Sequence, residues 1–345
     1  MRIGPQIVNP IRYPGWDDLI LSSGKYSFFH SSAWAKVLSE SYGYKPLFFT
    51  LFHHDRLLSL IPVMEVRSIL TGRRGVSLPF SDDCEAILDD KEHFKTLLND
   101  IIQYGDKRGW KTIELREGNE FLDGVSPAKW FYGHTLELGR DPGTIFRSFK
   151  GSTRRNIKKA VKENVPVHIS HSLDSVREFY RLNALTRKDH GIPPQPFSFF
   201  KNVHKYIISK KKGLVVLASF EGKNIAGAVY FHFGRRAIYK YGASAREYQH
   251  KRPNNRVMWE AIKWYAENGF ESFSFGRTGP ENKGLLQFKR GWGTREAVLR
   301  YYKYDLREAS YVVAHSKIES FSPIFRRMPV PLLNLVGSLL YRHVG

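Results

Sequence analysis

The sequence predicts an α/β (α+β) protein of two tandem domains, each a mixed, mainly antiparallel sheet flanked by helices. Three observations point there. A chain of 345 residues is long for one hydrophobic core, because cores stop growing and chains divide at roughly 100 to 200 residues per domain. Each half runs through a hairpin pattern, an amphipathic helix and an alternating strand in the same order. A local echo links them: residues 104–116 read as helix end, Gly-aromatic corner and alternating strand, and residues 265–277 read the same way. A tandem duplication accounts for all three.

In the first half, residues 45–53 and 57–66 are β-rich runs around the polar turn His54-Asp55-Arg56. Residues 91–108 follow, with Phe94, Leu97, Leu98, Ile101 and Ile102 at the spacing of one helix face, and Gly109 ends them. Strands are expected at 111–116 and 131–138. The second half repeats the order with strands at 214–220, 225–233 and 237–241, a helix at about 254–268 and a strand at 272–275. The expected boundaries are therefore 1–142, 143–305 with a basic amino-terminal helix, and a helical tail over 306–345.

With 42% hydrophobic and 25% charged residues the chain can bury a large core and is neither disordered nor fibrous. A lone Cys84 excludes an internal disulfide framework, and the amino-terminal residues lack a cationic start followed by an apolar run, so a cytoplasmic protein is expected. No window reaches the 18 or so apolar residues of a spanning helix, which excludes a transmembrane transporter. Charge is unevenly divided. Residues 1–140 hold 17 Lys and Arg against 18 Asp and Glu, whereas the remaining 205 hold 37 against 15, a net of +22. A neutral half joined to a cationic one points to an anionic partner for the second.

The segments that carry chemistry lie mostly in that second half. Residues 147–162 contain Arg147, Lys150, Arg154, Arg155, Lys158, Lys159 and Lys162 and no acid, with Ile157, Ala160 and Val161 as one apolar stripe. On a helix begun by Ser152 or Thr153, Arg154, Lys158 and Lys162 align, with Arg155 and Lys159 beside them; like charges so spaced repel, and a polyanion relieves the repulsion. A solvated helix face is the structural alternative. Residues 276–293 follow a strand as a glycine-rich loop with four cations, where Arg277 and Lys289 are candidates to hold an anion or a developing oxyanion. A surface turn anchored by Trp292 is the alternative there. Lys251 to Arg256 introduce the 254–268 helix, whose free amides can receive an anion at Asn254, Asn255 and Arg256. The Arg/Gln-x-x-Gly-x-Gly/Ala cradle for the coenzyme A pyrophosphate is absent, asparagine standing where glycine is needed.

Other constellations fail. His53 and His54, neighbours on a strand, are expected on opposite faces, and no spacing matches a zinc site. No Gly-x-Ser-x-Gly elbow or Walker loop is present. Asp82, beside Leu78-Pro79-Phe80, is either a carboxylate base or a turn residue. Near the end, Leu332, Leu335, Val336, Leu339 and Leu340 fall at helical spacing between Arg326-Arg327 and Arg342-His343, a stripe that suits either a bilayer interface or the protein body.

Taken together, Trp34 with Tyr42-Gly43-Tyr44, Ser77-Leu78-Pro79-Phe80, Thr153 to Ala160, Phe275-Gly276-Arg277 and Phe288 to Gly293 resemble the FemABX-like branch of the GNAT acyltransferase superfamily. Within it, the likeness is to FemAB-related proteins of exopolysaccharide, PEP-CTERM-associated loci. The resemblance covers nearly the whole chain, and the last two motifs are the most specific. It implies two GNAT-like domains, with acceptor and activated donor meeting at a cleft between and across them, and no permanently bound cofactor or metal. The co-substrate is an acyl-CoA or an aminoacyl-tRNA; no coiled-coil insertion of the kind some members carry for tRNA is seen.

The resemblance implies transfer of an acyl group to an amino or hydroxyl group of an anionic, lipid-linked or small-molecule cell-envelope precursor, at the inner face of the membrane. It places Phe288 and Lys289 at the Phe-Lys pair implicated in activity in peptidyltransferases. The catalytic candidates are Lys289, Arg277 and Asp82. Phe288, Trp292, Phe80, Tyr239, Tyr241, Arg154, Arg155 and Lys158 are the substrate-binding candidates, and Asn254, Asn255 and Arg256 those for the donor. The reading from another class is a non-catalytic binder of RNA or anionic glycan, favoured by the basic half and its aromatic residues.

Overall fold

The computed structural model describes residues 4–116, 121–122, 124–313 and 322–344. It contains two compact units. One comprises Met1–Phe131, Val298–His315 and Leu340–Gly345, the other Tyr132–Ala297 and Ser316–Leu339.

The chain opens with β1 (Pro5–Val8), α1 (Trp16–Ser22) and α2 (Ser32–Tyr42). The Ser31 side chain caps α2 by accepting from the Trp34 amide, and Gly43 ends it at φ 72°, a conformation costly for any side chain. The meander β2 (Lys45–His53), β3 (Arg56–Ser68) and β4 (Gly72–Val76) follows, then the short β5 (Ile87–Leu88). Next come α3 (Lys91–Arg108) and β6 (Thr112–Arg116). Asp90 caps α3 and Gly109 stops it, so its apolar face of Phe94, Leu97 and Ile101 lies buried in the first unit's core with Phe49, Ile61 and Trp110.

Then come β7 (Lys129–Glu137), α4 (Pro142–Ser148), α5 (Gly151–Lys162), β8 (Val167–Ser170), α6 (Leu173–Asp189) and α7 (Phe197–Val203). A second meander, β9 (Gly213–Phe220), β10 (Lys223–Phe233) and β11 (Arg236–Ser244), leads through α8 (Pro253–Glu267) to β12 (Ser272–Thr278). The chain continues with α9 (Lys283–Arg290), β13 (Arg295–Asp305), β14 (Ser310–Tyr311), α10 (Ser322–Arg327) and α11 (Val330–Val344).

The expected duplication is visible strand by strand. The first unit's order is β1-β2-β3-β4-β6-β13 and the second's is β8-β9-β10-β11-β12-β7. In each, a helix after the third meander strand returns the chain parallel to it, β4 with β6 and β11 with β12, while the other neighbours are antiparallel. The sixth slot explains why the units do not follow the expected cuts at 142 and 305. In the first unit it is filled from late in the chain, Tyr301–Asp305 of β13 pairing with β6. In the second it is filled by β7, which precedes the second meander.

Three further expectations change. His53 and His54 do not point to opposite faces: the turn begins at His54, with φ 54°, and the two rings meet edge to face at 4.5 Å. Val161 is exposed, because α5 buries Thr153, Ile157 and Ala160 instead. The tail is divided between the two units, and its residues 314–321 lie outside the described residues.

Candidate active site

In the second unit the two most specific motifs converge with the start of the basic helix on one structural joint. Along β12 the partners step from Ser274↔Thr135 to Arg277↔Gly133, so the strand bulges at Phe275-Gly276. Gly276 has φ 65°, a backbone state that glycine adopts without strain. A bulge takes carbonyls out of the ladder, and here a side chain collects them. Lys289, only 2% exposed, donates from Nζ to the Gly276 carbonyl at 3.0 Å and the Arg277 carbonyl at 3.1 Å. Phe-Gly-Arg and Phe-Lys thus form one structure, a bulge and the ammonium bound to it.

The turn after Lys289 locks this corner to the start of the basic helix. The Lys150 amide donates to the Gly291 carbonyl at 3.0 Å. A Cβ on Gly291 would overlap Thr153 Oγ1, and Gly293, at φ 68°, lies against the Ser148 carbonyl. Trp292 is fully buried and packs against Phe149 (5.0 Å), Phe288 (5.7 Å) and Phe275 (6.2 Å). It is the packing centre of the joint, while Phe288 is half-buried at its edge. From this joint α5 carries Arg155, Lys158, Lys159 and Lys162 exposed and Arg154 half-buried. It begins at Gly151 rather than Ser152 or Thr153, with Lys150 as its cap residue.

Beside Lys289 lies a charged chain that sequence reasoning missed. His134, buried on β7, has Nε2 2.8 Å from Glu296, and Arg290 grips the same carboxylate through Nε at 2.6 Å and Nη2 at 2.9 Å. The Arg290 guanidinium also lies over the Tyr132 ring at 5.4 Å. Burial, then the Lys289 ammonium, holds the His134 pKa below its ordinary value in spite of Glu296. No spacing in the sequence signals this trio, since it is assembled by strand pairing.

The other candidates fall elsewhere. β11 bulges between Tyr239 and Tyr241, and the extra residue separates two side chains that a regular strand would place on one face. Tyr239 packs on Tyr230 at 5.6 Å, and burial pushes its phenol up to about 12; Tyr241 packs on Phe200 at 5.5 Å. At the start of α8, Asn254 donates to Ser244 Oγ at 3.0 Å, Asn255 is buried and Arg256 pairs with Glu260 at 2.8 Å. Ser244 borders a cavity of about 710 Å³ that Arg181, Asn224, Arg246 and Tyr248 also line.

In the first unit, Leu78 and Phe80 both have positive φ, 48° and 59°, an uncommon pair of strained residues two apart. Phe80 stacks obliquely on Tyr42 at 5.3 Å and Tyr341 at 5.8 Å. The carbonyl of Asp82 accepts from the Tyr301 hydroxyl at 2.6 Å, and buried Arg116 donates to the Ser81 carbonyl at 3.0 Å while lying 5.4 Å from the Tyr301 ring. Among the described residues no group of three or more His, Cys, Asp or Glu is placed to hold a metal ion, and no helix is long and apolar enough to cross a membrane.

A bulged strand beside a helix that returns parallel to its meander defines the class of fold, and the comparisons agree. Residues 147–290 match the acetyltransferase (GNAT) domain family. The chain is 33% identical over 99 residues to the lipid II:glycine glycyltransferase of Staphylococcus epidermidis, a match covering 27% of this chain and 22% of that protein. The match thus spans about a fifth of that relative's length. In fold, the chain is similar to the crystal structure of FemX, with a TM-score of 0.70, 14% identity, and 89% and 98% of the two chains covered. It is also similar to a tandem GNAT protein from the clavulanic acid biosynthesis pathway, with a TM-score of 0.52, 8% identity, and 88% and 99% covered.

Proposed function

We propose that this protein is an acyltransferase of the GNAT/FemABX type that moves an acyl or aminoacyl group onto an amino or hydroxyl group of a cell-envelope peptide or glycan precursor. The relative's glycyl transfer to lipid II motivates the substrate class. The observation that carries the reading is the Lys289 ammonium bound to the β12 bulge and joined to the basic face of α5.

Amide formation needs the acceptor deprotonated, the two reactants held together and the tetrahedral oxyanion stabilised; positioning alone supplies about 7 to 11 kcal/mol of barrier. The acceptor nitrogen or oxygen bonds the acyl carbon, and the bond to the donor's oxygen or sulfur breaks. The leaving atom takes the proton the acceptor gives up. Lys289 and Arg277 neutralise the developing charge, Arg154, Arg155 and Lys158 hold donor or acceptor phosphate, and the substrate itself carries the proton to the leaving atom. The donor is an acyl-CoA or an aminoacyl-tRNA and the acceptor is an anionic, lipid-linked precursor at the inner membrane face. An RNA or glycan binder would use the same α5 cations, but would not need a desolvated ammonium fixed at a bulge.

The test incubates the purified protein with a lipid-linked peptidoglycan precursor and either acetyl-CoA or charged tRNA, with the mass of the precursor as readout. One arm is expected to add an acyl mass. Lys289→Met should then lose about 10²- to 10³-fold in turnover, the usual cost of an oxyanion partner. Product in neither arm, or full turnover by the folded variant, would overturn the proposal.

A further inference from the structure

Among the described residues, seven of fifteen exposed large hydrophobic side chains fall in just two segments: the β3–β4 hairpin tip and the last two helices. Ile69 is 91% and Leu70 64% exposed at the tip, a degree of exposure that no neighbouring contact in the fold requires. The tip is nonetheless held firmly. Ser68 Oγ caps it by accepting from the Leu70 and Thr71 amides at 3.1 and 2.9 Å. Its flanks grip the last turn of α11: His343 Nδ1 lies 3.1 Å from Ser68 Oγ, and the His343 carbonyl accepts from Arg74 Nη2 at 3.0 Å and Thr71 Oγ1 at 3.4 Å. The same helix turns Leu332, Leu335 and Leu339 outward at i, i+3 and i+7, with Leu335 56% and Leu339 61% exposed. Its inward side is committed to packing: Leu333 is buried, and a Cβ on Gly337 would overlap the Pro194 carbonyl.

We infer that the Ile69-Leu70 tip and the outward face of α11 are each elements that insert into the interface of an anionic lipid bilayer. The charges select this occupant. Residues 66–76 carry Arg67, Arg73 and Arg74, residues 322–344 carry Arg326, Arg327 and Arg342, and neither segment contains an Asp or Glu. Arg67 pairs with Glu65 at 2.7 Å and Arg74 is buried, so the exposed cations beside these aliphatic side chains are Arg73, Arg326, Arg327 and Arg342, a combination that suits acyl chains beneath anionic headgroups. Hydrogen bonding of the tip to the helix end means that the protein meets the bilayer with preformed elements. This goes beyond the transferase reading and stands or falls without it, because it needs no donor or acceptor.

The experiment is sedimentation of the full-length protein with vesicles of phosphatidylcholine, with and without phosphatidylglycerol. Binding is expected only when phosphatidylglycerol is present. Ile69→Ser/Leu70→Ser and Leu335→Ser/Leu339→Ser change exposed positions and should each weaken binding at least about tenfold, with circular dichroism unchanged. Equal binding by wild type and both variants would show attraction by charge alone and overturn the inference. So would absence of binding to the anionic vesicles, or a change of oligomeric state in the Leu335/Leu339 variant with vesicle binding intact, which would make the face a contact between copies.

Discussion

The joint between the Lys289 corner and α5 rests on the missing side chain of Gly291, and that can be measured. In Gly291→Ala the new methyl overlaps Thr153 Oγ1 and lies 3.1 Å from the Phe288 carbonyl. Thr153 is buried and sits on a helix packed against its neighbours, so it cannot swing aside freely. Overpacking of this kind costs about 1 to 3 kcal/mol, equivalent to roughly a 5- to 150-fold rise in local opening. Thr153→Ala removes the obstructing hydroxyl, and combining it with Gly291→Ala should recover most of the loss, with a coupling of about 1 to 2 kcal/mol. Recovery stays incomplete because the Phe288 carbonyl remains close. The assay is hydrogen exchange of the 151–162 amides followed by mass spectrometry, which reads the joint itself. Additive effects of the two substitutions, or unchanged exchange in Gly291→Ala, would refute the account of how these motifs meet.

Charge reversal at Arg155 and Lys158, both exposed on α5, should leave stability within about 0.5 kcal/mol. It should raise KM for the anionic substrate at least about tenfold in low salt and flatten the salt dependence; unchanged KM and salt slope would remove α5 from substrate binding. His232 supplies a pH signature. Its Nε2 donates to the Lys211 carbonyl at 2.7 Å and its Nδ1, 3.2 Å from the Tyr265 hydroxyl, accepts from it. Burial lowers its pKa from 6.5 to about 4, so the unfolded chain binds a proton between those values and the folded one resists it. The contribution, about 3 kcal/mol, is complete above pH 6.5 and disappears as pH falls toward 4. In urea unfolding the gap between wild type and His232→Phe should therefore narrow from pH 7 to pH 4, and a constant gap would contradict the assignment.

Local signals in the sequence proved sufficient wherever a residue's neighbours decide its state. The helix over 91–108 is found at Lys91–Arg108 because Asp90 and Gly109 define its two ends, and β2 emerges at 45–53 because alternation and the polar turn define a hairpin. The exchange of sixth strands was not legible, since nothing local in β7 or β13 names the strand it pairs with. The same holds at the site. Lys289, Arg277 and the α5 cations stand out by type, but the Gly276 bulge that joins the first two, and the His134, Glu296 and Arg290 chain beside them, exist only through strand register. Tyr239 and Tyr241 show the converse: two residues apart they read as one face, and a single extra residue in the strand separates them.

That register dependence gives the two short motifs a common physical reason. A left-handed residue in a central strand, where Gly276 stands, detaches backbone carbonyls that a low-dielectric interior penalises. A buried ammonium at 289 is penalised for the same reason unless oxygens surround it. Each is unfavourable alone, and together they satisfy one another at 3.0 and 3.1 Å. Glycine at the bulge and lysine on α9 are therefore one solution to one problem. It leaves a fixed positive charge at the end of a strand, beside a helix lined with cations, and the proposed stabilisation of a developing oxyanion rests on that placement.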